Sequence, residues 1–440
     1  MSIFRKYDIR GTYGKDLTEN IMRRIGNGFS TVSKENQVVV GMDTRTSSPS
    51  LKKAFLSGLK NKHVIDIGML PISAALFAAW KERAVLAYIT ASHLEKEHNG
   101  VKFYHSNTIG FSEKEIQDID RLGKDEKGDG VEITTRSPGD ILESYINHYK
   151  NQIKLDRKIH VLIDCGNGAT SIGIHKLFTE LGFDCDVIND EPDGEFPSRS
   201  PDPISDSLDG LKSMVSNYDF GIAFDGDGDR VVIVDDKGRK LNSEQMSYVI
   251  LDRLLQDVGG DVAANVECNI LINKIAEKHG RKVVRFPVGH TFLSETVFRY
   301  NAAYGIETSG HGSIPSFSPF NDSILLGLYF GYALSTKQSS LSEIVDSMPH
   351  VASVKMNIPC PDGVKFLAMD KLKQTLEREY ENIDNMDGIC VNFEHGRILL
   401  RASNTEPKIR ISAEGESHDS AESMLAKFAS LLEEIIKEVA

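Results

Sequence analysis

The sequence predicts an α/β fold with three similar mixed-sheet α/β domains followed by a smaller C-terminal α+β domain. Its 440 residues are too many for one hydrophobic core, and length alone suggests about three domains. Three segments repeat the order apolar strand, polar loop, amphipathic helix, which is typical of βαβ units with mostly parallel sheets. The last part of the chain follows a different order of elements. The predicted domains cover residues 1–138, 139–243, 244–348 and 349–440.

The first repeat is the segment QVVVGMDTRTSSPSLKKAFLSGL, which begins at Gln37. The apolar residues 38–40 predict a short buried strand. Ser48 is expected to cap the following helix, because Pro49 would then occupy the first helical position. Leu51 falls on the apolar face of this predicted helix.

Two later segments repeat this order before the pattern changes. Residues 161–163 predict a strand that a Gly-Asn-Gly loop and a helix follow, and VAANVECNILINKIAEKHG predicts a third, weaker instance. After a loop-rich stretch at 347–363, the pattern becomes helix, strand, a turn at Gly396, strand, loop, strand and a long terminal helix. Apolar residues at a helical period predict that this last helix packs one face on a sheet: Met424, Phe428, Leu431, Leu432, Ile435 and Ile436.

The composition is that of a globular protein, with 40% hydrophobic and 26% charged residues. No window approaches the roughly 18 uninterrupted apolar residues of a membrane span, and the stretch MSIFRKYDIRG has no apolar run of signal-peptide length. Five scattered cysteines without CxxC spacing indicate neither a disulfide framework nor a zinc site, so we expect a cytoplasmic protein. The net charge of −13 argues against a general nucleic-acid binder.

The segment FGIAFDGDGDRVVIVDDKG carries Asp225, Asp227 and Asp229 alternating with glycines between two strand-like runs. Alternate residues of an extended chain point the same way, so the three carboxylates are expected to converge. Two carboxylates about 4 Å apart repel by roughly 4 kcal/mol at an effective dielectric constant of about 20, which favours a cation between them. Hard oxygen ligands suit Mg²⁺. An EF-hand calcium loop is excluded because Arg230 occupies the sixth position, where glycine is needed, and a solvated acidic hairpin remains the alternative.

Two further loops carry residues that could act on a substrate. In ITASHLEKEHNGVKFY, Ser92 follows a short apolar strand, where it is either a nucleophile or a capping residue of a turn. In AAYGIETSGHGSIP, Glu307 and Ser309 can bind neighbouring sugar hydroxyls, and His311 can move protons near neutral pH. Considered alone, this second segment is better interpreted as a polar loop with a structural histidine.

The segment LLRASNTEPKIRIS predicts a phosphate site. Arg401 and Arg410 flank three small hydrogen-bonding residues, which are Ser403, Asn404 and Thr405. Phosphate binding needs convergent donors and positive charge, and arginine supplies bidentate donors. Backbone amides of such a loop add further donors. An exposed strand pair with alternating arginine and serine is the alternative interpretation.

Taken together, these four stretches closely resemble the α-D-phosphohexomutase family. Its motifs occur here in the family's order: TASH with NGVKFY, DGDGDR, a loop similar to GE-x-SGH, and R-x-S-N-T-E-P. YDIRG at 7–11, PDGEFP at 192–197 and PVGH at 287–290 extend the resemblance over nearly the whole chain. The resemblance implies four domains around a central cleft, and the last domain would bind phosphate. This agrees with the architecture inferred from the residues.

The resemblance also implies roles for individual residues. The catalytic residues would be Ser92 as the phosphoserine, with Arg10, Lys102, Arg230 and His311. The metal ligands for Mg²⁺ would be Asp225, Asp227, Asp229 and the phosphate on Ser92. The substrate-binding residues would be Tyr7, His290, Glu307, Ser309, Arg401, Ser403, Asn404, Thr405 and Arg410. A hexose 1,6-bisphosphate would be the intermediate and the activator.

Two details bear on substrate and activity. YDIRG and RASNT resemble the phosphomannomutase/phosphoglucomutase branch, so we expect mannose 1- and 6-phosphates as substrates, with glucose phosphates second. The family pattern TASHNP is broken because Leu94 and Glu95 stand where Asn and Pro are usual, and we expect a less rigid loop.

The alternative functions are those of a phosphoglucosamine mutase, a serine-metal sugar-phosphate phosphatase and a catalytically silent sugar-phosphate-binding protein. The expected partners are small sugar phosphates, and the expected assembly is a monomer or homodimer.

Overall fold

The computed structural model describes residues 3–403 and 407–439, and of His290 only the backbone. The predicted phosphate ligands Asn404 and Thr405, and the side chain of His290, therefore lie outside the described residues. The predicted fold class is confirmed, because three α/β domains with mixed sheets precede an α+β domain. No helix within the described ranges is both long enough and apolar enough to cross a membrane.

The first domain contains one six-stranded sheet flanked by four helices. Its strands are β1 (Ile9–Thr12), β2 (Gln37–Met42), β3 (His63–Met69), β4 (Val85–Ile89), β5 (His98–Tyr104) and β6 (Glu132–Thr135). Its helices are α1 (Glu19–Val32), α2 (Ser48–Gly58), α3 (Ile72–Glu82) and α4 (Glu113–Leu122). The strand order is β1-β5-β4-β2-β3-β6, in which β2 is parallel to β3 and β4, and β5 is antiparallel to β4.

The second and third domains each contain a four-stranded sheet. The second consists of α5 (Pro138–Lys150), β7 (His160–Asp164), α6 (Ile174–Glu180), β8 (Asp184–Ile188), α7 (Asp209–Met214), β9 (Phe220–Phe224) and β10 (Val231–Asp235). The third consists of α8 (Ser243–Asp257), β11 (Val262–Asn265), α9 (Leu271–Lys278), β12 (Val283–Phe286), α10 (His290–Tyr300), β13 (Tyr304–Ile306), β14 (Gly312–Ser313), α11 (Ser323–Ser335) and α12 (Leu341–Ser347).

The same four-stranded unit recurs in all three α/β domains. The orders β5-β4-β2-β3, β10-β9-β7-β8 and β14-β13-β11-β12 are equivalent, and in each the first two strands of the order form an antiparallel hairpin. The hairpin loops contain Ser92, the aspartates 225–229 and the segment 307–311, respectively. Three segments that are remote in sequence therefore occupy equivalent positions, each at the carboxyl end of a central strand.

The fourth domain is an antiparallel sheet covered on one face by two helices. It consists of β15 (Ala352–Pro359), α13 (Asp362–Glu379), β16 (Ile383–Asp384), β17 (Ile389–Phe393), β18 (Gly396–Ala402), β19 (Lys408–Gly415) and α14 (His418–Val439), with strand order β15-β19-β18-β17-β16. The interpretation of 347–363 as loop was wrong, because β15 pairs with β19 along its whole length. β15 is an edge strand with mostly exposed side chains, so its apolar pattern is weak.

One local prediction was wrong by a single residue. Ser47, not Ser48, is the N-cap of α2, and it makes no side-chain capping hydrogen bond. The hydroxyl of Ser48 instead donates to a carboxylate oxygen of Asp43, at 2.6 Å. The sequence pattern placed the helix correctly but could not reveal this buried acceptor.

The first three domains share a continuous apolar core, whereas the fourth has its own. Phe220 of the second domain and Phe330 of the third pack edge to face with ring centroids 5.1 Å apart, and Phe77 of the first domain contacts Tyr145 of α5 at 5.4 Å. The core of the fourth domain lies between its sheet and its two helices. All five cysteines are buried free thiols.

Candidate active site

Ser92 lies at the meeting point of the first two hairpin loops. Its hydroxyl donates to Asp225 Oδ2 at 2.7 Å and lies 3.4 Å from Asp229 Oδ1. The residue is only 1% exposed, which is unlike a capping serine at a strand end. The structure therefore brings the serine and the acidic segment together, although more than 130 residues separate them in sequence.

The backbone at this point is strained and closely packed. Ser92 has a φ of 53°, in the left-handed region that residues with a side chain rarely adopt. Such a conformation persists only where surrounding contacts hold it, and it is common at functional sites. Gly226 lies against the carbonyl of Ser92, because a Cβ at Gly226 would come within 2.6 Å of that oxygen.

The predicted convergence of the three aspartates is confirmed, but the loop is not extended. Ligand oxygens of Asp225, Asp227 and Asp229 lie within 4.8 Å of one another. The loop curls around Asp225, whose Oδ1 accepts hydrogen bonds from the backbone amides of Gly228, Asp229 and Arg230 at 2.9 to 3.1 Å. Gly228 has a φ of 79°, so glycine is needed for this curl.

Buried positive charges partly offset the acidic cluster. The Lys102 ammonium contacts Asp227 Oδ2 at 2.9 Å and also Asp229. Burial alone would lower the pKa of Lys102, but these two carboxylates raise it. Burial and the negative charges of Asp229 and Asp227 raise the pKa of Asp225 well above its usual value. Burial would also raise the pKa of Asp229, but the charges of Lys102 and His311 hold it well below its usual value.

The residues of this cluster fit a hard divalent cation. Asp227 Oδ1 is buried and has no hydrogen-bond partner in the described part of the chain. A buried carboxylate oxygen without a donor is costly, and a cation would satisfy it. Three carboxylates with one further oxygen ligand, on Ser92, form the oxygen-rich set that Mg²⁺ prefers.

Two arginines and a histidine border the serine. Arg10 forms an ion pair with Asp8 at 2.7 Å and donates to the carbonyl of Ala91 at 3.3 Å. Arg230 lies 3.4 Å from His93 Nε2, and its own Nε is buried without a partner among the described residues. Burial, together with the charges of Arg230 and Arg10, lowers the pKa of His93 to about 2, so this imidazole is neutral.

The third hairpin loop connects to the acidic cluster through His311. Its Nε2 lies 3.1 Å from Asp229 Oδ1, and its Nδ1 lies 2.7 Å from Ser309 Oγ and 3.3 Å from Glu307 Oε2. Burial alone would lower the pKa of His311, but the charge of Asp229 and the hydrogen bond to it raise the pKa to about 9. Glu307 also accepts a hydrogen bond from the amide of Gly289 at 2.9 Å.

Tyr7, two residues before β1, contacts the third domain. Its ring packs edge to face on Phe292 of the third domain, with centroids 5.7 Å apart, and lies against Gly289. Burial raises the pKa of Tyr7. The YDIRG segment of the first domain therefore contacts the start of α10, where the PVGH segment ends.

The predicted phosphate residues lie on the fourth domain. Arg401 on β18 is directly opposite Arg410 on β19, and Ser403 is buried. The buried ammonium of Lys365, near the start of α13, donates to the carbonyl of Ser403 at 2.6 Å and thereby holds the end of this strand.

A cavity of about 230 Å³ lies between this sheet face and the third domain. Four basic side chains line it, which are Lys355, Arg401, Lys408 and Arg410. Glu267 is the only carboxylate among its described lining residues, and it lies 2.9 Å from Arg401 Nη1. Arg401 also pairs with Asp387 at 3.0 Å. This cavity has the size and charge to hold a phosphate group.

Sequence comparison places this architecture among known proteins. The sequence models described as phosphoglucomutase/phosphomannomutase alpha/beta/alpha domains I, II and III match residues 1–128, 143–238 and 242–351, and the model of the C-terminal domain matches residues 356–431. The chain belongs to the phosphoglucomutase/phosphomannomutase family. It is therefore a phosphohexomutase, an enzyme that moves a phosphoryl group within its substrate.

Relatives of this phosphohexomutase carry two different names. A protein named phosphoglucomutase/phosphomannomutase from Thermococcus kodakarensis is 31% identical, over 99% of each chain. A probable phosphoglucosamine mutase from Methanopyrus kandleri is 30% identical, over 98% of each chain. A crystal structure of a phosphoglucomutase/phosphomannomutase family protein from Burkholderia thailandensis superposes with a TM-score of 0.89 at 25% identity, covering 98% of this chain and 97% of that one.

The sequence analysis missed several residues that this phosphohexomutase places around the site. These residues are Asp43, Arg45, Thr90, Glu267 and Lys365. A signal for the first two was present, because the polar run DTR directly follows the strand at 38–42 and would lie at the carboxyl edge of the sheet. Glu267 carries no such signal, since its partner Arg401 belongs to another domain.

Proposed function

We propose that this phosphohexomutase interconverts the 1- and 6-phosphates of mannose, with glucose phosphates as a second substrate, through a phosphoserine at Ser92. The observation that supports this proposal is the position of the Ser92 hydroxyl, which is buried against Asp225 within the acidic cluster. A capping serine needs none of these contacts. A serine that carries phosphate needs a nearby cation site, and the cluster fits one.

The substrate would be held at both ends of the cleft. The basic cavity of the fourth domain would bind the phosphate that does not react, through Arg401, Ser403 and Arg410. Glu307 and Ser309 would bind sugar hydroxyls, since a carboxylate accepts and a hydroxyl donates. The free hydroxyl at the other end of the sugar would then face Ser92.

The transfer step exchanges one oxygen–phosphorus bond for another. The bond between Ser92 Oγ and phosphorus breaks as a bond forms from the sugar hydroxyl oxygen to phosphorus. The sugar hydroxyl loses its proton and Ser92 Oγ gains one, and Lys102 and His311 are the buried groups placed to exchange these protons. Mg²⁺ held by the three aspartates would neutralise negative charge on the transferred group.

The resulting bisphosphate must turn end for end before it returns a phosphoryl group to Ser92. One phosphate cavity therefore has to accept two orientations of the sugar, and a hexose 1,6-bisphosphate would prime the unphosphorylated enzyme. Water must be excluded throughout, since the phosphoserine would otherwise hydrolyse.

Intact-mass analysis tests the phosphoserine directly. We expect one added phosphate after incubation with glucose 1,6-bisphosphate and Mg²⁺, located on the peptide that contains Ser92. The Ser92→Ala variant should stay unmodified and should lose mutase activity by about 10³-fold or more. An unlabelled wild-type protein would indicate a silent binding protein, and net release of inorganic phosphate would indicate a phosphatase.

Phosphoglucosamine mutase is the second candidate, and one contact favours it. Glu267 Oε2 accepts a hydrogen bond from the hydroxyl of Thr308 at 3.5 Å, between the two sugar-binding residues of the third loop. A carboxylate there could pair with the ammonium group of glucosamine 6-phosphate. Turnover of mannose, glucose and glucosamine 6-phosphates by the primed enzyme distinguishes the two, and exclusive use of glucosamine 6-phosphate would contradict the first proposal.

The remaining predictions concern the protein as a whole. We propose domain limits near residues 138, 243 and 348, a cytoplasmic location, and a monomer or homodimer. Limited proteolysis and size-exclusion chromatography with light scattering test the first and the last of these.

A further inference from the structure

Arg45 is a completely buried arginine that the proposed transfer step does not use. It lies just after β2, at the edge of the sheet where the three hairpin loops meet. Its guanidinium pairs with the equally buried Asp43, with Nε 3.1 Å from Oδ2. A buried charge is costly unless it is paired and its hydrogen-bonding groups are satisfied. The remaining donors of Arg45 must therefore have partners.

Those partners are four carbonyl oxygens of one loop. Nη1 donates to the carbonyls of Glu95 and His98 at 2.8 and 2.9 Å. Nη2 donates to the carbonyls of Ser92 and Leu94 at 2.8 and 2.5 Å. The guanidinium therefore forms hydrogen bonds along the whole loop from Ser92 to the start of β5.

The shape of the guanidinium explains why arginine is needed here. It presents five donors in one rigid plane, whereas lysine presents three donors from a single point. A lysine at this position could keep the ion pair with Asp43 but could not donate to all four carbonyls that surround the edge of the guanidinium. Phe196 packs over the guanidinium at 5.1 Å and holds it in place.

Asp43 extends the network to the acidic cluster. Its Oδ2 accepts from the hydroxyl of Thr90 at 2.8 Å, and that same hydroxyl oxygen accepts from the amide of Ser92 at 2.7 Å. The Thr90 hydroxyl also lies 3.0 Å from Asp227 Oδ2. Arg45 thus contacts the carbonyl of Ser92 directly, whereas Asp43 is linked to the Ser92 amide through the Thr90 hydroxyl, which also approaches the proposed metal ligand Asp227.

The second domain contains a comparable arrangement. Arg199 pairs with Asp164 at the end of β7 and donates to the carbonyl of Phe224, which directly precedes Asp225, at 2.7 Å. In both domains, a buried Asp–Arg pair next to a central strand donates hydrogen bonds to a neighbouring hairpin loop. Arg45 bonds to carbonyls along the Ser92 loop, and Arg199 bonds to the carbonyl just before the acidic loop. The Ser92 loop is held by more contacts, because Arg45 donates to four of its carbonyls and Arg199 donates to only one carbonyl next to the acidic loop.

We propose that Arg45, with Asp43 as its counter-ion, is a positioning residue that fixes Ser92 for phosphoryl transfer and keeps water from its phosphate. The proposal rests on the phosphoserine of the proposed function. A displacement of about 1 Å at a reacting group costs on the order of 10²-fold in rate. A loosened loop would also expose the phosphoserine to water, so hydrolysis would increase relative to transfer.

The test compares Arg45→Lys with Lys96→Ala, in the full-length protein with Mg²⁺ and glucose 1,6-bisphosphate. Lys96 belongs to the same loop but is exposed and pairs only with Glu195 in the described chain, so its removal should change little. For Arg45→Lys, we expect mutase kcat to fall by on the order of 10²-fold while KM stays within about 2-fold. We also expect the ratio of inorganic phosphate released to sugar phosphate converted to rise at least about tenfold.

The ratio separates positioning from simple loss of folded protein. A lower fraction of folded enzyme reduces both rates equally and leaves the ratio unchanged, and that result would overturn the proposal. A wild-type kcat in Arg45→Lys would also overturn it. If Arg45→Lys does not fold, Asp43→Asn is measured in the same way, and an unchanged ratio there counts against the proposal. Failure of the proposed function is seen separately, as wild-type enzyme that carries no phosphate on Ser92.

Discussion

The two ends of the proposed substrate cleft are held together by different kinds of contact. One apolar cluster extends through the three α/β domains that surround Ser92, in addition to a separate cluster within each domain, and aromatic rings of different domains pack directly on one another in it. The fourth domain has a separate core and meets the third mainly through polar contacts. Apolar packing allows little rearrangement, whereas a polar interface can exchange partners. We therefore expect the proposed transfer site to be rigid and the position of the fourth domain to be adjustable.

One buried ion pair of the fourth domain makes polar contacts to the third domain through both of its partners. Arg397 on β18 pairs with Glu414 on β19 at 3.0 Å and donates to the carbonyl of Val266 in the third domain. Glu414 also accepts from the amide of Ile270 at 2.8 Å. Three further contacts add to these, which are the pair of Arg401 with Glu267, a hydrogen bond from the amide of Val288 to Asp387, and a small apolar cluster around Cys390 and Leu399. This construction would suit the proposed function, in which the fourth domain accepts two orientations of one intermediate.

The largest effect is expected at the rigid end, from Asp227→Asn. This change removes one carboxylate from the cluster and leaves its shape intact, so both metal affinity and transfer should fall. We expect kcat to fall by about 10³-fold, equivalent to about 4 kcal/mol. A Mg²⁺ titration of activity and calorimetric binding measure the two effects. Asp219→Asn, directly before β9 but paired with Arg157 away from the cluster, should behave as wild type.

Truncation of core side chains compares the stability of the three α/β domains with that of the fourth domain. Ile222→Ala in the shared core and Leu372→Ala in the core of the fourth domain should each cost about 3 kcal/mol. The first should lower the unfolding temperature of the three α/β domains together. The second should make the fourth domain unfold first, while Ser92 can still be phosphorylated. If both variants instead unfolded in a single thermal transition at the wild-type temperature, the division into a shared core and a separate core would be contradicted.

Glu414→Gln tests the interface itself. Loss of this charge leaves Arg397 buried without its counter-ion and should cost about 2 kcal/mol at the interface between the third and fourth domains. We expect a larger radius of gyration in small-angle scattering and a higher KM for sugar phosphate, with little change in the phosphorylation of Ser92 by excess bisphosphate. An unchanged scattering profile would show that other contacts hold the domain.

The smallest effect is expected from Glu267→Gln. Glu267 pairs with Arg401, so a substrate phosphate bound as proposed would compete with its carboxylate. Removal of its charge should lower KM for the non-reacting phosphate by about 5-fold, or about 1 kcal/mol. Glu277→Gln, an exposed glutamate of the same domain, is the matched control. A raised KM would show that Glu267 assists substrate binding.

The sequence alone determined the domain classes and the chemistry of the separate loops. Alternation of strands and helices predicted three α/β domains, because hydrophobic periodicity is a local property of the chain. The Asp-Gly repeat predicted a cation site, since three adjacent carboxylates repel one another wherever they lie. The expectation of an extended loop was wrong, because the loop curls around Asp225 through backbone hydrogen bonds that no residue pattern specifies.

Only the tertiary structure decided which loops meet and what holds them. Ser92 approaches Asp225, and Arg401 approaches Glu267, through contacts between residues more than 130 positions apart. The role of Arg45 was equally hidden, because its partners are carbonyl oxygens, which every residue carries and no sequence distinguishes. Side-chain chemistry can be inferred from the chain, but the contacts that position it depend on how separate domains pack.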